Sequence, residues 1–186
     1  MSTNQPKSLN LRMSVYCALF TALIIIGAYI SIPIPIGPVP IALADFFVML
    51  TGLFMGGKYG LLTVILYLGL GTIGLPVFSS GGSGFAFLFG PTGGFLFGYL
   101  LLVATIGFIT EKVKSSFTTD LLALLFGNML LFAMGITWLK VTLNMTWSAA
   151  IVAGLIPFIP GTVIKIIVAL AIGRMVVLGF KENMIR

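Results

Sequence analysis

Six apolar runs, at about residues 13–32, 41–56, 59–76, 91–110, 119–140 and 160–180, make up most of this chain of 186 residues. A helix that crosses a bilayer needs about 20 apolar residues, within a range of roughly 17 to 25. The runs meet or approach that length. The second is short, as if it starts inside a protein-lined region rather than at the bilayer edge. Only 8% of the residues are charged, against roughly 25% in soluble domains, so the chain lacks the polar surface of a globule. The pattern predicts an all-α, polytopic membrane protein of six transmembrane helices. Residues 1–186 read as a single membrane-embedded domain, with no soluble domain, linker or internal repeat.

Charge sets the expected orientation, because Lys and Arg favour cytoplasmic loops. Lys7 and Arg12 precede the first run, Lys58 separates the second and third, and Lys112 and Lys114 separate the fourth and fifth, beside Glu111 and Asp120. Arg174, Lys181 and Arg186 close the chain, with Glu182 among them. The alternate connections, 33–40 and 77–90, are uncharged, and the one after the fifth run has only Lys140. Eight of ten basic residues thus fall on one side, with Lys140 opposite and Lys165 inside a run. Both termini are expected in the cytoplasm. The first run is longer than the apolar core of a signal peptide and no small-residue cleavage site follows it, so it is expected to be retained. Trp138 and Trp147 flank the last external connection, as interfacial anchors do.

Two helix-breaking segments then fall on the external face. "SIPIPIGPVPIALAD" (31–45) has four prolines and a glycine, and "GLPVFSSGGSGFAFLFGPTGGFLFG" (74–98) has eight glycines, two prolines and three serines. Non-helical backbone cannot face lipid, where each unpaired N–H or C=O costs several kcal/mol. It persists only against protein or beside a cavity, so the two segments predict a shared external cavity. Gly81, Gly82 and Gly84 permit close backbone approach and positive φ. Ser79, Ser80 and Ser83 add uncharged donors and acceptors, and Phe78, Phe85, Phe87 and Phe89 add flat apolar surface. That mixture suits a neutral, polar-headed molecule with an apolar body; a tight re-entrant turn in which glycine merely permits packing is the alternative. Pro91 suits a first helical position and Thr92 a cap. Gly90, Gly94 and Gly98 form overlapping GxxxG patterns, which serve as helix contacts or as a smooth cavity wall.

Two charges sit inside runs. Asp45 begins the second, either as a helix-terminal carboxylate or as a site residue. Lys165 lies five residues past Pro160, about 7–8 Å into the last helix at about 1.5 Å per residue. Near a helix N-terminus a lysine wants an anion: Asp45, the interface reached by snorkelling, or a substrate carboxylate. Asn128 is the one carboxamide in mid-run, suited to ligand binding or to a bond between helices. Cys17, the lone cysteine, reads as an inert packing residue.

Several activities are excluded. The chain has no histidine, so "GGSG" imitates an intramembrane serine protease without a base for its serine. There is no GxxxxGK[ST] phosphate loop, and four acids and ten bases give no proton relay across a bilayer. The basic residues are scattered singly, which argues against nucleic acid. The chain reads as a binding site without an engine, not as an enzyme.

At these residues the chain resembles the BioY family, the biotin-specific S components of energy-coupling-factor transporters. The matching pieces are "IPIPIGPVPI" (32–41), "LYLGLGTIGLPVF" (66–78), "GPTGGFLFGYL" (90–100), "GNMLLFAMGITWL" (127–139) and "PFIPGTVIK" (157–165). The resemblance implies a six-helix protein of the cell membrane that captures biotin from outside, with no cofactor. It also implies partners: a transmembrane coupling protein and two cytoplasmic ATPases. In that family small residues of the first helix contact the coupling protein, a position that Ala18 and Ala22 match, though ordinary packing explains two alanines as well. The family's last motif often reads PGDxxK, with an acid where this chain has Thr162; Asp45 could replace that acid, or Thr162 could donate directly. The residues expected at the substrate are Asp45, Phe78, Ser79, Gly81, Gly82, Ser83, Gly84, Phe85, Thr92, Asn128, Thr162 and Lys165. A self-driven secondary carrier, or an S component for another small carboxylated molecule, is the alternative.

Overall fold

The computed structural model describes residues 11–35, 37–113 and 116–184, with side chains through residue 175. Lys7, Lys114 and Arg186 lie outside the described residues, and Lys181 and Glu182 outside the described side chains. Seven α-helices follow one another: α1 (Leu11–Tyr29), α2 (Ala44–Thr72), α3 (Gly84–Leu88), α4 (Gly93–Lys112), α5 (Phe117–Thr142), α6 (Trp147–Gly154) and α7 (Ile159–Met184). A short antiparallel ladder, β1 (Ser31–Ile32) with β2 (Ile41–Ala42), pairs Ser31 with Ala42 and Ile32 with Ile41.

The second and third apolar runs form α2, which is folded in two. Gly56 breaks it at φ 70° and ψ −170°, a backbone region open essentially to glycine alone. Gly52 on the first arm packs on Ile106 and Val103, while Gly60 on the second arm packs on Val103 and Thr51. Both arms therefore press the same stretch of α4, and the chain reverses at Gly56. Gly107 of α4 lies directly against the backbone of Gly56 and Gly57, with no room for a Cβ. Five helical stretches are long and apolar enough to cross a membrane. With α2 doubled back, they make six crossings. The first arm, residues 44–55, spans only about 18 Å at 1.5 Å per residue, and the ladder and its loop complete that side.

The distribution of apolar side chains follows from a lipid solvent. Val15, Leu19 and Ile26 of α1, Leu122, Phe126 and Met129 of α5, and Ile164 and Ile167 of α7 face outward. Inward, Tyr67, Phe78, Ile24, Met49, Leu102, Ile106 and Leu124 are fully buried. Of the crossing stretches α4 is the most enclosed and α1 the least. Hydroxyls inside the helices spend their protons on the preceding turn: Thr51 on Phe47, Thr63 on Tyr59 and Thr110 on Ile106. Each of these three hydroxyls is thereby satisfied within its own helix, whereas the buried Tyr67 hydroxyl has no hydrogen-bond partner among the described residues. Cys17 is buried and its Sγ lies 3.7 Å from the Tyr59 carbonyl, in a packing position.

The last crossing has a step. Thr146 caps α6 by accepting from the Ala149 N–H, α6 runs back along α5 until Gly154 meets Leu139 and Ile136, and a single 3-10 turn, Ile156–Phe158, leads into α7. Pro160 then occupies the first turn of α7, where its missing N–H costs nothing. The step brings Lys165 alongside the start of α2.

Candidate functional site

Both Pro/Gly-rich segments end at one cavity. Its wall takes Val39, Pro40 and Ala42 from the first segment, Ser79, Phe87 and Thr92 from the second, and Asp45 and Lys165 from α2 and α7. Phe95, Leu96 and Tyr99 of α4, Leu131 and Phe132 of α5, and Phe158 complete it. Phe158 stacks on Phe95 at 5.9 Å and meets Phe132 edge-on at 6.1 Å. The result is a flat aromatic slot closed at one place by charge. The cavity volume is about 40 Å³; since one water needs roughly 10–15 Å³ on such a measure, the walls must part for an organic ligand.

The charged pair is the polar centre. Lys165 Nζ donates to Asp45 Oδ1 at 2.7 Å and to the Ala42 carbonyl at 2.6 Å. Both side chains are almost wholly enclosed, at 10% and 13% exposure. Of the three partners open to Lys165 on sequence, Asp45 is the one it meets in this structure. The carboxylate that the PGDxxK pattern carries on the last helix thus reaches the lysine here from α2. Thr162 is buried one turn before Lys165, off the cavity wall. Among the described residues no third charge lines the cavity.

The glycine-rich stretch shapes the wall more than it touches the space. Ser80 and Gly81 are left-handed, at φ 58° and 76°, which closes a turn in which Phe78 N–H donates to the Gly82 carbonyl at 3.0 Å. Gly82 lies under the ring of Phe87, where a Cβ has no room. Phe78, fully buried, stacks on Phe87 at 5.3 Å and meets Tyr67 edge-on at 5.5 Å. The turn therefore props Phe87 in the wall and leaves Ser79 as the hydroxyl at the cavity. Ser83 and Gly84 open α3 away from the cavity, Gly84 at φ 81°. Phe85 is 67% exposed and points away from the protein.

Three other residues have definite places. Thr92 precedes α4 and lines the cavity without a side-chain cap bond. Asn128 lies outside the wall, donating to its own helix at the Leu124 carbonyl (2.8 Å) and to Met49 Sδ (3.6 Å). Gly94 and Gly98 seat Trp138 and Leu131 of α5, so the GxxxG face is a helix contact. Gly90 stands before the helix, and its carbonyl accepts from Trp138 Nε1 at 3.0 Å. Ala18 and Ala22 face outward together on α1.

The aromatic wall is what sequence reasoning passes over. Phe95, Tyr99 and Phe132 sit in runs that are apolar on every side, Phe158 sits in the turn before the last run, and nothing in their spacing marks one face. Closeness to "GPTGG" signals Phe95 and Tyr99, and Phe158 lies within "PFIPG"; nothing comparable marks Phe132.

The fold and site define a class: a polytopic helical membrane protein holding a narrow aromatic pocket with one buried ion pair at its head. The BioY family matches residues 1–182, and the chain belongs to that family. It is 42% identical over 159 residues to the biotin transporter BioY of Thermotoga maritima, covering 86% of this chain and 92% of that one. It is 36% identical over 176 residues to the biotin transporter BioY of Rhizobium etli, covering 89% and 93%. Its fold superposes, with a TM-score of 0.84 and 35% identity, on the crystal structure of the S component for biotin from an ECF-type ABC transporter, over 95% of this chain and 94% of that one. The family and these relatives are transporters, not enzymes.

Proposed function

We propose that this protein is the substrate-capturing S component of an energy-coupling-factor transporter, and that its substrate is biotin, taken from the external side of the cell membrane. The observation that carries the reading is the Lys165–Asp45 pair at the head of an aromatic slot, in a chain of the BioY family. Biotin's ureido group wants adjacent donors and acceptors and its thiophane ring wants apolar walls. Its carboxylate wants Lys165 or the donors of the glycine-rich loop. The same logic assigns Asp45, Lys165, Ser79 and Thr92 to direct contact, and Phe78, Gly81 and Gly82 to holding the wall.

The transport half of the reading rests on partners. A chain with no phosphate loop and no proton relay needs an outside source of energy, which a coupling protein and two ATPases supply. The small, outward patch of Ala18 and Ala22 on the least enclosed helix suits that docking. The basic residues around Lys58 and Arg174 support a cytoplasmic position for the opposite end of the molecule.

Mass analysis of small molecules released from detergent-purified protein tests the ligand: one biotin per chain is expected. Uptake of labelled biotin by vesicles tests the engine. It is expected only when the coupling protein and ATPases are present; uptake by this chain alone on an ion gradient would establish a secondary carrier instead.

A further inference from the structure

A groove of about 380 Å³ lies away from the cavity, between α5 and α7. Ile166 and Leu170 are buried and make its floor, whereas Phe117 and Ile167, each more than half exposed, stand on its rim. Every lining residue is apolar except Arg174. At about 1.5 Å per residue, Arg174 lies about 12 Å past Ile166 and about 22 Å from the start of α7. A helix needs roughly 30 Å to clear the hydrocarbon core, so Arg174 is at headgroup depth or short of it. A charge there is costly unless an anion meets it. Among the described residues Arg174 makes no salt bridge. The nearby acid Asp120, next to the lining residue Leu121, is buried and off the groove wall.

We infer that this groove holds one anionic phospholipid of the leaflet opposite the cavity. Its acyl chain lies over Ile166 and Leu170, and its phosphate sits on Arg174. The planar guanidinium can take two phosphate oxygens at once, and basic pockets between membrane helices suit anionic headgroups. The groove beside Lys58 makes the contrast. Its lining residues, Lys58 to Ile65, all come from one arm of α2, so no second helix supplies a facing wall. Its cation is also engaged, with Lys58 Nζ lying 5.7 Å from the centre of the Tyr59 ring. The lipid site is separate from the cavity and independent of its substrate.

Native mass spectrometry of the purified full chain in detergent tests this, with phosphatidylglycerol and phosphatidylcholine of identical acyl chains as probes. One phosphatidylglycerol per chain is expected, preferred at least about tenfold over phosphatidylcholine, the worth of one charge-assisted bond. Arg174→Gln is expected to bring the preference within about twofold, while Lys58→Gln, which removes the same charge elsewhere, keeps it. Ala171→Trp fills the groove from an exposed position and should lower retention of both lipids by at least about threefold. No preference in the wild-type chain overturns the inference, as does a preference that survives Arg174→Gln. Equal losses in Arg174→Gln and Lys58→Gln overturn it too, since they mean diffuse charge attraction, and unchanged retention in Ala171→Trp removes the groove. Biotin titration of each variant, expected to match the wild type, checks that the fold is kept.

Discussion

Lys165 of α7 and Asp45 of α2, 120 residues apart in the chain, form an ion pair of 2.7 Å inside the membrane-spanning part of the protein. Breaking such a pair on one side leaves an uncompensated charge, at a cost of about 3–5 kcal/mol, whereas replacing both partners by apolar groups is often neutral. Lys165→Ala and Asp45→Ala should each lower the thermal midpoint in detergent, and Lys165→Met with Asp45→Leu should recover most of it. All three should weaken biotin by at least about tenfold, the worth of one charge-assisted hydrogen bond. Unchanged affinity on titrating folded Lys165→Ala protein takes Lys165 out of the site.

The reversal at Gly56 has its own signature. A side chain there meets both the φ of 70° and the Glu111 carboxylate. Gly56→Ala is expected to cost about 1–3 kcal/mol, read as a lower melting temperature, with biotin affinity unchanged in the protein that remains folded. Glu111→Ala alone should be close to silent.

The stretch from 78 to 87 separates wall from surface. Phe78→Ala removes a fully buried ring that props Phe87 and is expected to cost about 3–5 kcal/mol, with weaker biotin binding. Phe85→Ala, at an exposed position, should leave affinity within about twofold, a change under about 0.5 kcal/mol. Titration of the two variants side by side distinguishes a structural turn from a ligand-gripping one.

For the docking of α1, Ala18→Trp and Ala22→Trp are the sharp variants. Each adds a bulky ring to an outward face and should leave biotin binding intact. Uptake by cells carrying the full transporter is expected to fall to background, as a blocked interface requires.

Sequence and structure agree where the physics is one-dimensional. Lys58 marks the turn after Gly56, Glu111 and Lys112 mark the end of α4, and the short second run is the short first arm of α2. The helix-breaking segments had to be enclosed, and both end at the cavity. What is not legible depends on packing between distant elements. No local pattern announces that Phe95, Phe132 and Phe158 share one slot, or that α6 folds back on α5 before α7 begins. The serines and glycines of 79–84 look alike on paper, yet only Ser79 reaches the cavity, because Ser80 and Gly81 turn the backbone left-handed and carry the rest away.

Direct titration of the purified wild-type chain with biotin tests the central claim most closely. The account predicts saturable binding of one biotin per chain in the absence of any coupling protein or ATPase, lost or weakened by at least about tenfold when Lys165 is replaced. No saturable binding by the folded chain alone would contradict it.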